Sequence, residues 1–305
     1  MTDESKSDKQ KTAQWWDQTA QKRLSQPLQG WLDSPAVLES YVQPRLGGNA
    51  KTNWLAGTAE RLQILKSGSW LSLGCGAAGQ EIAASKWGLF ATMLAMDGSP
   101  QSVALAREAA REQGVNNIIF QESDVETVSL PDSNFDVVLM NMSLHHVRGL
   151  RRLLGEIRRT LKPNGLLLIN EFIGPCQFQF SDRQLRIVAD LLSAMPDEWR
   201  RDSATGGLKT RYIRMPVEHW NAVDPSEAIR SDQIVAEVTA QFEVIDRVDY
   251  GGSILHLLLE HIVHNFDPAN EKDMGVIRLL GKFEDILIRE GVLTSDFTVM
   301  AARKR

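Results

Sequence analysis

Trp70-Leu-Ser-Leu-Gly-Cys-Gly-Ala-Ala-Gly-Gln-Glu81 is the stretch on which the reading of this chain turns. An apolar run ends at Leu73, and Gly74, Gly76 and Gly79 follow in quick succession. A helix-compatible Ile82-Ala-Ala comes next. That order reads as a strand, a tight turn and a helix N-terminus. Glycine permits the positive φ of such a turn and lets a ligand approach the backbone with no Cβ in the way. The helix start adds unpaired N–H groups and the positive end of the helix dipole. The turn therefore suits a polar or anionic ligand.

Working outward, short apolar strands alternate with amphipathic helices. Strand one covers 69–73, and its helix runs to about Trp87. Strand two covers 91–96 and ends at Asp97. Ser99-Pro100 then supplies an N-cap and a proline at the first helical position, and Gly114 suits the C-terminal cap. Strand three is 118–120, followed by Asp124, and strand four is 135–140, ending at Asn141. The helix over 150–161 places Leu150, Leu153, Leu154, Ile157 and Leu161 on one face. Pro163-Asn-Gly165 ends it, and strand five covers 166–169 before Glu171. This alternation predicts an α/β fold: a Rossmann-like parallel sheet covered on both faces, with helical segments added before strand one and after strand five. In such sheets ligands lie at the carboxyl ends of the strands. The rule gathers the glycine turn, Asp97, Asp124, 141–146 and Glu171 on one rim.

The remaining segments divide by composition. Residues 1–14 are polar and read as a disordered tail. Residues 15–66 read as a helical N-terminal cap broken by Pro27, Pro35, Pro44 and Gly47-Gly48. Its Trp15, Trp16, Trp31 and Trp54 either pack the segment down or touch the ligand. The core covers 67–173, and 174–230 is a helical lid or insertion. Residues 231–305 return to the core, with a helical insertion over 254–290, a strand at 242–250 and a last strand at 297–301 before a basic tail. The lid carries Phe178, Phe180, Trp199, Tyr212 and Trp220 with Arg183, Arg186, Arg200, Arg201, Arg211 and Arg214. These suit either a cover over an anionic or sugar-like acceptor or, given the interspersed acids, a solvated helical face.

Bulk properties bound the function. The 305 residues, 43% hydrophobic and 24% charged, have the make-up of an ordinary soluble globular protein. A net charge of −5 argues against nucleic acid as the main partner. One of the two cysteines, Cys75, sits in the glycine turn and the other is Cys176, so no structural disulfide is expected and a cytoplasmic setting fits. The N-terminus lacks a signal-peptide apolar core, and no apolar run reaches the ~18–20 residues of a membrane span. The richest run, 254–263, is interrupted by His256, Glu260 and His261 and reads as a buried helix.

Gly74-x-Gly76-x-x-Gly79 with Asp97 on the next strand fits a dinucleotide fingerprint. Three further features favour S-adenosylmethionine. Leu-x-Leu-Gly-Cys-Gly76 resembles the first motif of class I S-adenosylmethionine-dependent methyltransferases. A second acid, Asp124, follows strand three. Leu130-Pro-Asp-Ser-Asn-Phe-Asp-Val-Val-Leu-Met-Asn-Met-Ser-Leu-His-His-Val147, with Leu-Lys-Pro-Asn-Gly165, is similar to the strand-four and strand-five region of that family. The resemblance is to its ubiquinone/menaquinone-biosynthesis-like (type 11) branch, and it is specific over about 69–171. It implies a seven-stranded sheet whose last strand is antiparallel and inserted between strands five and six. It implies Asp97 on the ribose hydroxyls, with Gly98 beside it, and Asp124 and the Val125 N–H on the adenine. It also implies the backbone of Gly74, Cys75 and Gly76, with Gly79, along the methionine portion, and Asn141 and Met142 near the sulfonium. Where the family has an acid two residues before the first glycine, this chain has Ser72.

The reaction so implied moves a methyl group to a small-molecule acceptor, a hydroxyl of a metabolite or sugar, leaving S-adenosylhomocysteine. An oxygen nucleophile must lose a proton, and His145, His146 and Glu171 are the candidate bases on the rim. His219 and His256 reach the pocket only if their segments fold over it. No Cys/His cluster has zinc spacing, so no metal site is expected. Two other readings stand beside this one: a protein of this fold that binds the cofactor without methyl transfer, and a nicotinamide-dependent oxidoreductase.

Overall fold

The computed structural model describes residues 11–12, 30–47, 53–64 and 66–305. The expectations for Trp15, Trp16 and Pro27, and for the tail apart from Lys11 and Thr12, fall outside these residues. Seven strands form one sheet: β1 (Ser69–Leu73), β2 (Thr92–Asp97), β3 (Ile118–Glu122), β4 (Phe135–Asn141), β5 (Leu161–Phe172), β6 (Phe242–Gly251) and β7 (Phe297–Lys304). Their order is β3-β2-β1-β4-β5-β7-β6. Strands β1 to β5 pair in parallel, and β7 runs antiparallel between β5 and β6. The sheet has the topology the resemblance implies.

The strands are buried on both faces, and the period of two sorts their side chains. Trp70, Val137, Leu139, Leu168, Val299 and Ala301 belong to one core. Leu71, Leu73, Val138, Met140, Leu167, Ile169 and Met300 belong to the other. The helices among the described residues include α1 (Trp54–Arg61), α2 (Gly79–Lys86), α3 (Pro100–Glu112), α4 (Leu150–Thr160), α5 (Asp182–Ala194), α6 (Val217–Val223), α7 (Ile234–Gln241), α8 (Leu255–Leu259) and α9 (Glu271–Arg289). Helices α4 and α7 cover the second core through Leu150, Leu153, Leu154, Ile157, Ile234 and Val238. Helices α1, α2, α3, α5, α8 and α9 contribute to the first.

Two boundaries differ from expectation. Strand β5 begins at Leu161, ahead of the Pro163-Asn-Gly165 turn. Its pairing with β4 jumps from Phe135↔Leu161 to Val137↔Leu166, so residues 162–165 bulge out and the chain rejoins the same partner. The basic tail is part of β7, with Lys304 opposite Phe242. The run at 254–263 is buried as expected, but it is broken: α8 is one turn and a half long, and His261 has a φ of 60°. No helix among the described residues is long and apolar enough to cross a membrane. Cys75 and Cys176 are both free.

Trp31 and Trp54, the two described tryptophans of the N-terminal cap, are packed down. Trp31 lies against Tyr41, Tyr250 and Phe297, with ring centroids 5.1–6.4 Å away. The Tyr41 hydroxyl donates to Glu284 Oε2 at 2.7 Å, which pins the ring over Gly281 in the middle of α9. A Cβ on Gly281 would stand 2.2 Å from Tyr41 Cδ2. Alanine favours a helix interior over glycine by about 1 kcal/mol, whereas overpacking a core costs about 1–3 kcal/mol. With the ring tied at its hydroxyl, the clash outweighs the propensity. Gly281→Ala is therefore expected to lower stability by about 1–2 kcal/mol, read as a lower urea midpoint at unchanged slope; a higher midpoint would contradict this packing.

Candidate active site

The site lies where the sheet order reverses, at the carboxyl ends of β1 and β4. The N–H groups of Gly74 and Cys75 donate to Met96 O at 2.8 and 3.0 Å, which folds the turn against the end of β2. Gly74 and Gly76 have φ values of 74° and 53°, the left-handed region that glycine enters without a Cβ clash. Gly74 is also held by space, since a Cβ there would stand 2.5 Å from Ser143 Cβ. Ala78, at the N-cap of α2, adopts a φ of 58° with no such licence. Asp97 is set by the same turn: Oδ2 accepts from Gly76 N at 2.8 Å and Oδ1 from Ser99 N at 2.9 Å.

A cavity of about 1590 Å³ opens over this turn. Gly74, Cys75, Gly76, Gly79, Asp97, Gly98, Asp124, Val125, Asn141 and Met142 all line it. Single-ligand pockets run to about 1,000 Å³, so this one has room for a cofactor and a second molecule. A Cβ built on Gly76 or Gly79 meets nothing within 4 Å, so the glycines leave an open cradle beside the start of α2. Asp124 Oδ1 accepts from Glu126 N at 2.8 Å, which fixes the loop after β3. Asn141 Oδ1 accepts from Asn170 Nδ2, and Asn170 in turn accepts from the buried Tyr250 hydroxyl. An open backbone cradle with one fixed carboxylate beside it and another across the cavity fits a nucleoside joined to an amino acid.

The serine at position 72 has a structural counterpart. Ser72 Oγ donates to Glu81 Oε1 at 2.6 Å, and both side chains are buried. The acid missing from the strand thus reaches the same place from the first turn of α2. Burial pushes its carboxyl up to about 7, against the pull of the Ser72 hydrogen bond. Burial, with Glu81 and Asp97 nearby, also raises the Cys75 thiol, which keeps it protonated and unreactive.

His145 and His146 both line the cavity, while Glu171 stands behind them and is fully buried. Glu171 Oε1 accepts from Ser143 N at 2.5 Å and from Leu144 N, and Oε2 faces His145 Nδ1 at 2.6 Å. Glu171 does not line the cavity, so it is placed to orient His145 rather than to touch an acceptor. Burial disfavours the His145 cation, yet the charge and hydrogen bond of Glu171 outweigh it, and the net direction is up. Burial and the neighbouring His145 hold His146 down. His146 Nδ1 lies 3.1 Å from Ser226 Oγ, and that hydroxyl donates to Asp224 Oδ1 at 2.7 Å. Glu227 faces both rings, its oxygens 3.6 and 3.9 Å from the two Nε2 atoms.

Asp224, Ser226 and Glu227 went unremarked as site residues in the sequence, where they fall within the helical lid or insertion of 174–230. The segment instead forms turns that dock on the histidine loop, with Ile229 N donating to His145 O at 3.1 Å. Thr12 adds a hydrogen bond to Asp224 Oδ1 at 2.9 Å, so one residue of the polar tail reaches the site. His256 is brought in as well: it lines the cavity, ringed by Phe172, Phe178, Phe180 and Phe297 at 5.3–6.0 Å. Burial lowers it to about 4, so it is neutral. His219 does not line the cavity. Nor do the lid arginines: Arg183, Arg186, Arg201, Arg211 and Arg214 are exposed, which is the solvated-face reading.

Comparison with known proteins agrees with this geometry. Residues 71–169 match the family model described as a methyltransferase domain. An uncharacterized methyltransferase of Bacillus subtilis, YcgJ, is 25% identical over 178 residues, which are 55% of this chain and 70% of that protein. The ubiquinone/menaquinone biosynthesis C-methyltransferase UbiE of Stutzerimonas stutzeri is 30% identical over 120 residues, 39% of this chain and 47% of its own. In fold, the chain is similar to geranyl diphosphate C-methyltransferase from Streptomyces coelicolor, with a TM-score of 0.53, 13% identity and 97% of each chain covered. With the glycine cradle, the two carboxylates and the sheet order in place, residues 71–169 carry a methyltransferase domain on a Rossmann-like sheet, and the activity is that of an S-adenosylmethionine-dependent methyltransferase with S-adenosylmethionine as cofactor.

Proposed function

We propose that the acceptor is a hydroxyl-bearing small molecule with an apolar body, and that His145, oriented by Glu171, takes its proton. The observation that carries this reading is the division of the cavity. One end is the glycine turn with Asp97 and Asp124; the other is a wall of Phe172, Phe178, Phe297 and neutral His256 beside His145 and His146. S-adenosylmethionine brings its own activation, a methyl group on a sulfonium, so the protein's task is alignment and exclusion of water. In this reading Asp97 holds the ribose hydroxyls, and Asp124 with the Val125 N–H holds the adenine. The backbone of 74–76 follows the methionine portion, with Gly79 and Gly98 leaving room, and Asn141 and Met142 close the site near the sulfonium. Glu81 is the carboxylate for the amino-acid end, in the place Ser72 vacates.

Glu171 fixes the proton on His145 Nδ1 and leaves Nε2 to accept from the acceptor hydroxyl. Aromatic surface lines the acceptor end, and Arg148, an arginine that lines the cavity, donates to Pro225 O at 2.9 Å and has Glu227 nearby in the lining, which favours an apolar body over an anionic one. A second reading, carbon methylation, is favoured by the name of the Stutzerimonas relative. Loss of a phenolic proton also makes a ring carbon nucleophilic, so the same base serves either outcome.

Calorimetry is expected to show binding of S-adenosylhomocysteine and none of NADH. Asp97→Ala should weaken that binding by at least about 2 kcal/mol, roughly 30-fold, through lost charge-assisted hydrogen bonds; unchanged affinity would sink the assignment of Asp97. Glu81 gives a pH test. Its carboxyl titrates at about 7 in the free chain, and only the ionised form pairs with an ammonium. Affinity should therefore fall about tenfold from pH 8 to pH 6, and Glu81→Gln should bind more weakly with a flat profile. An equally steep profile in the variant would assign the titration to another group. Transfer of labelled methyl from S-adenosylmethionine to apolar hydroxyl compounds of a cell extract, lost in His145→Gln, would support the acceptor class; transfer only to polar or anionic compounds would overturn it.

A further inference from the structure

We propose that His145, His146 and Glu227 form a binding site for a divalent transition-metal ion of the zinc type. One donor atom from each of the three lies within 4.8 Å of the other two. The two Nδ1 atoms point away from the centre toward acceptors: Glu171 Oε2 at 2.6 Å for His145, and Ser226 Oγ at 3.1 Å for His146. Ser226 spends its own proton on Asp224 Oδ1, so its oxygen receives from His146. Both rings therefore carry hydrogen on Nδ1, and both Nε2 lone pairs turn toward the Glu227 carboxylate, at 3.6 and 3.9 Å. A proton or a metal ion between them would satisfy all three groups. Ligand atoms on a tetrahedron with bonds of about 2.0 Å are about 3.3 Å apart, so the three must draw in from separations of up to 4.8 Å to close around an ion.

Outer carboxylates hold both imidazoles in the way metal-bound histidines are held: Glu171 directly and Asp224 through Ser226. A separate observation points the same way. Asp224 is 1% exposed, and its Oδ2 has no hydrogen-bond partner while lying 3.9 Å from His146 Nδ1. A buried carboxylate oxygen left without a donor is costly. Positive charge on the histidine pair would offset that cost. Two imidazoles and one carboxylate select zinc, cobalt or iron(II) over magnesium or calcium, which prefer all-oxygen ligands. Three protein ligands leave a fourth position open to the cavity they line. The ion and the acceptor's proton need the same lone pair of His145, so metal loading would switch the base off. That consequence rests on the methyl-transfer reading; the binding itself does not.

The test is titration of the chelator-treated full chain with Co²⁺, followed by visible absorption and calorimetry. The expected result is saturable one-to-one binding with a ligand-field band and no thiolate charge-transfer band. His146→Ala and Glu227→Gln should each weaken it at least tenfold, Asp224→Asn by about tenfold, and His264→Ala, at an exposed histidine, not at all. S-adenosylhomocysteine binding on the same samples reports whether each variant is folded and whether the cofactor site stands. Absence of saturable binding in a chain that binds S-adenosylhomocysteine overturns the metal site and leaves the cofactor assignment intact. A thiolate band, or affinity unchanged in both ligand variants, also overturns it. Metal binding without S-adenosylhomocysteine binding supports the metal site and counts against the cofactor assignment.

Discussion

The buried carboxylate of Glu171 is the constraint on which the rest of the site depends. It sits at the end of β5, fully buried, and gathers two backbone N–H groups and one imidazole from the loop after β4. A carboxylate taken out of water this far is tolerable only when its lone pairs are occupied. Its demand for donors therefore dictates the path of 143–145. Ser143, held there, donates through its hydroxyl to Leu73 O at 2.8 Å and stands against Gly74. One anion thus couples the histidine loop to the glycine turn across β1, β4 and β5.

The turn itself works by absence. Without side chains at 76 and 79 the backbone borders open space, and without one at 74 the two loops close to contact. Asp97 then does two things with one carboxylate, bracing the turn at Gly76 and starting α3 at Ser99 while facing the cavity. Glu81 brings an acid beside the position that Ser72 occupies on the strand. Residues 72 and 81 are nine apart in the chain, yet a strand end and the first turn of the next helix bring them to 2.6 Å.

The insertion after β5 supplies what the parallel core lacks. Its aromatic side borders the cavity through Phe178 against Phe172, and its turns over 224–229 carry Asp224, Ser226 and Glu227 to the histidines. Arg183, Arg186, Arg201, Arg211 and Arg214 face water, and Arg200 and Arg214 pair with neighbouring acids. Charge content alone therefore misleads about what such a cover recognises.

The sequence by itself determined the α/β class, the strand positions and the glycine turn with the residues that share its cavity, because these are local. Apolar period, glycine spacing and the polar residues at or next to the ends of β2 to β5 sit within a few residues of one another, and the sheet rule places them on one rim. It also named His145, His146 and Glu171, though not that Glu171 faces the imidazole rather than the cavity. Only the tertiary structure decided the rest. Glu81 answering Ser72, Glu227 and Asp224 meeting the histidine pair, and His256 entering the aromatic wall all join residues whose separation in the chain carries no period. Their meeting depends on how an irregular segment packs over the sheet, and burial, which sets the charge on each of these groups, exists only once it has packed.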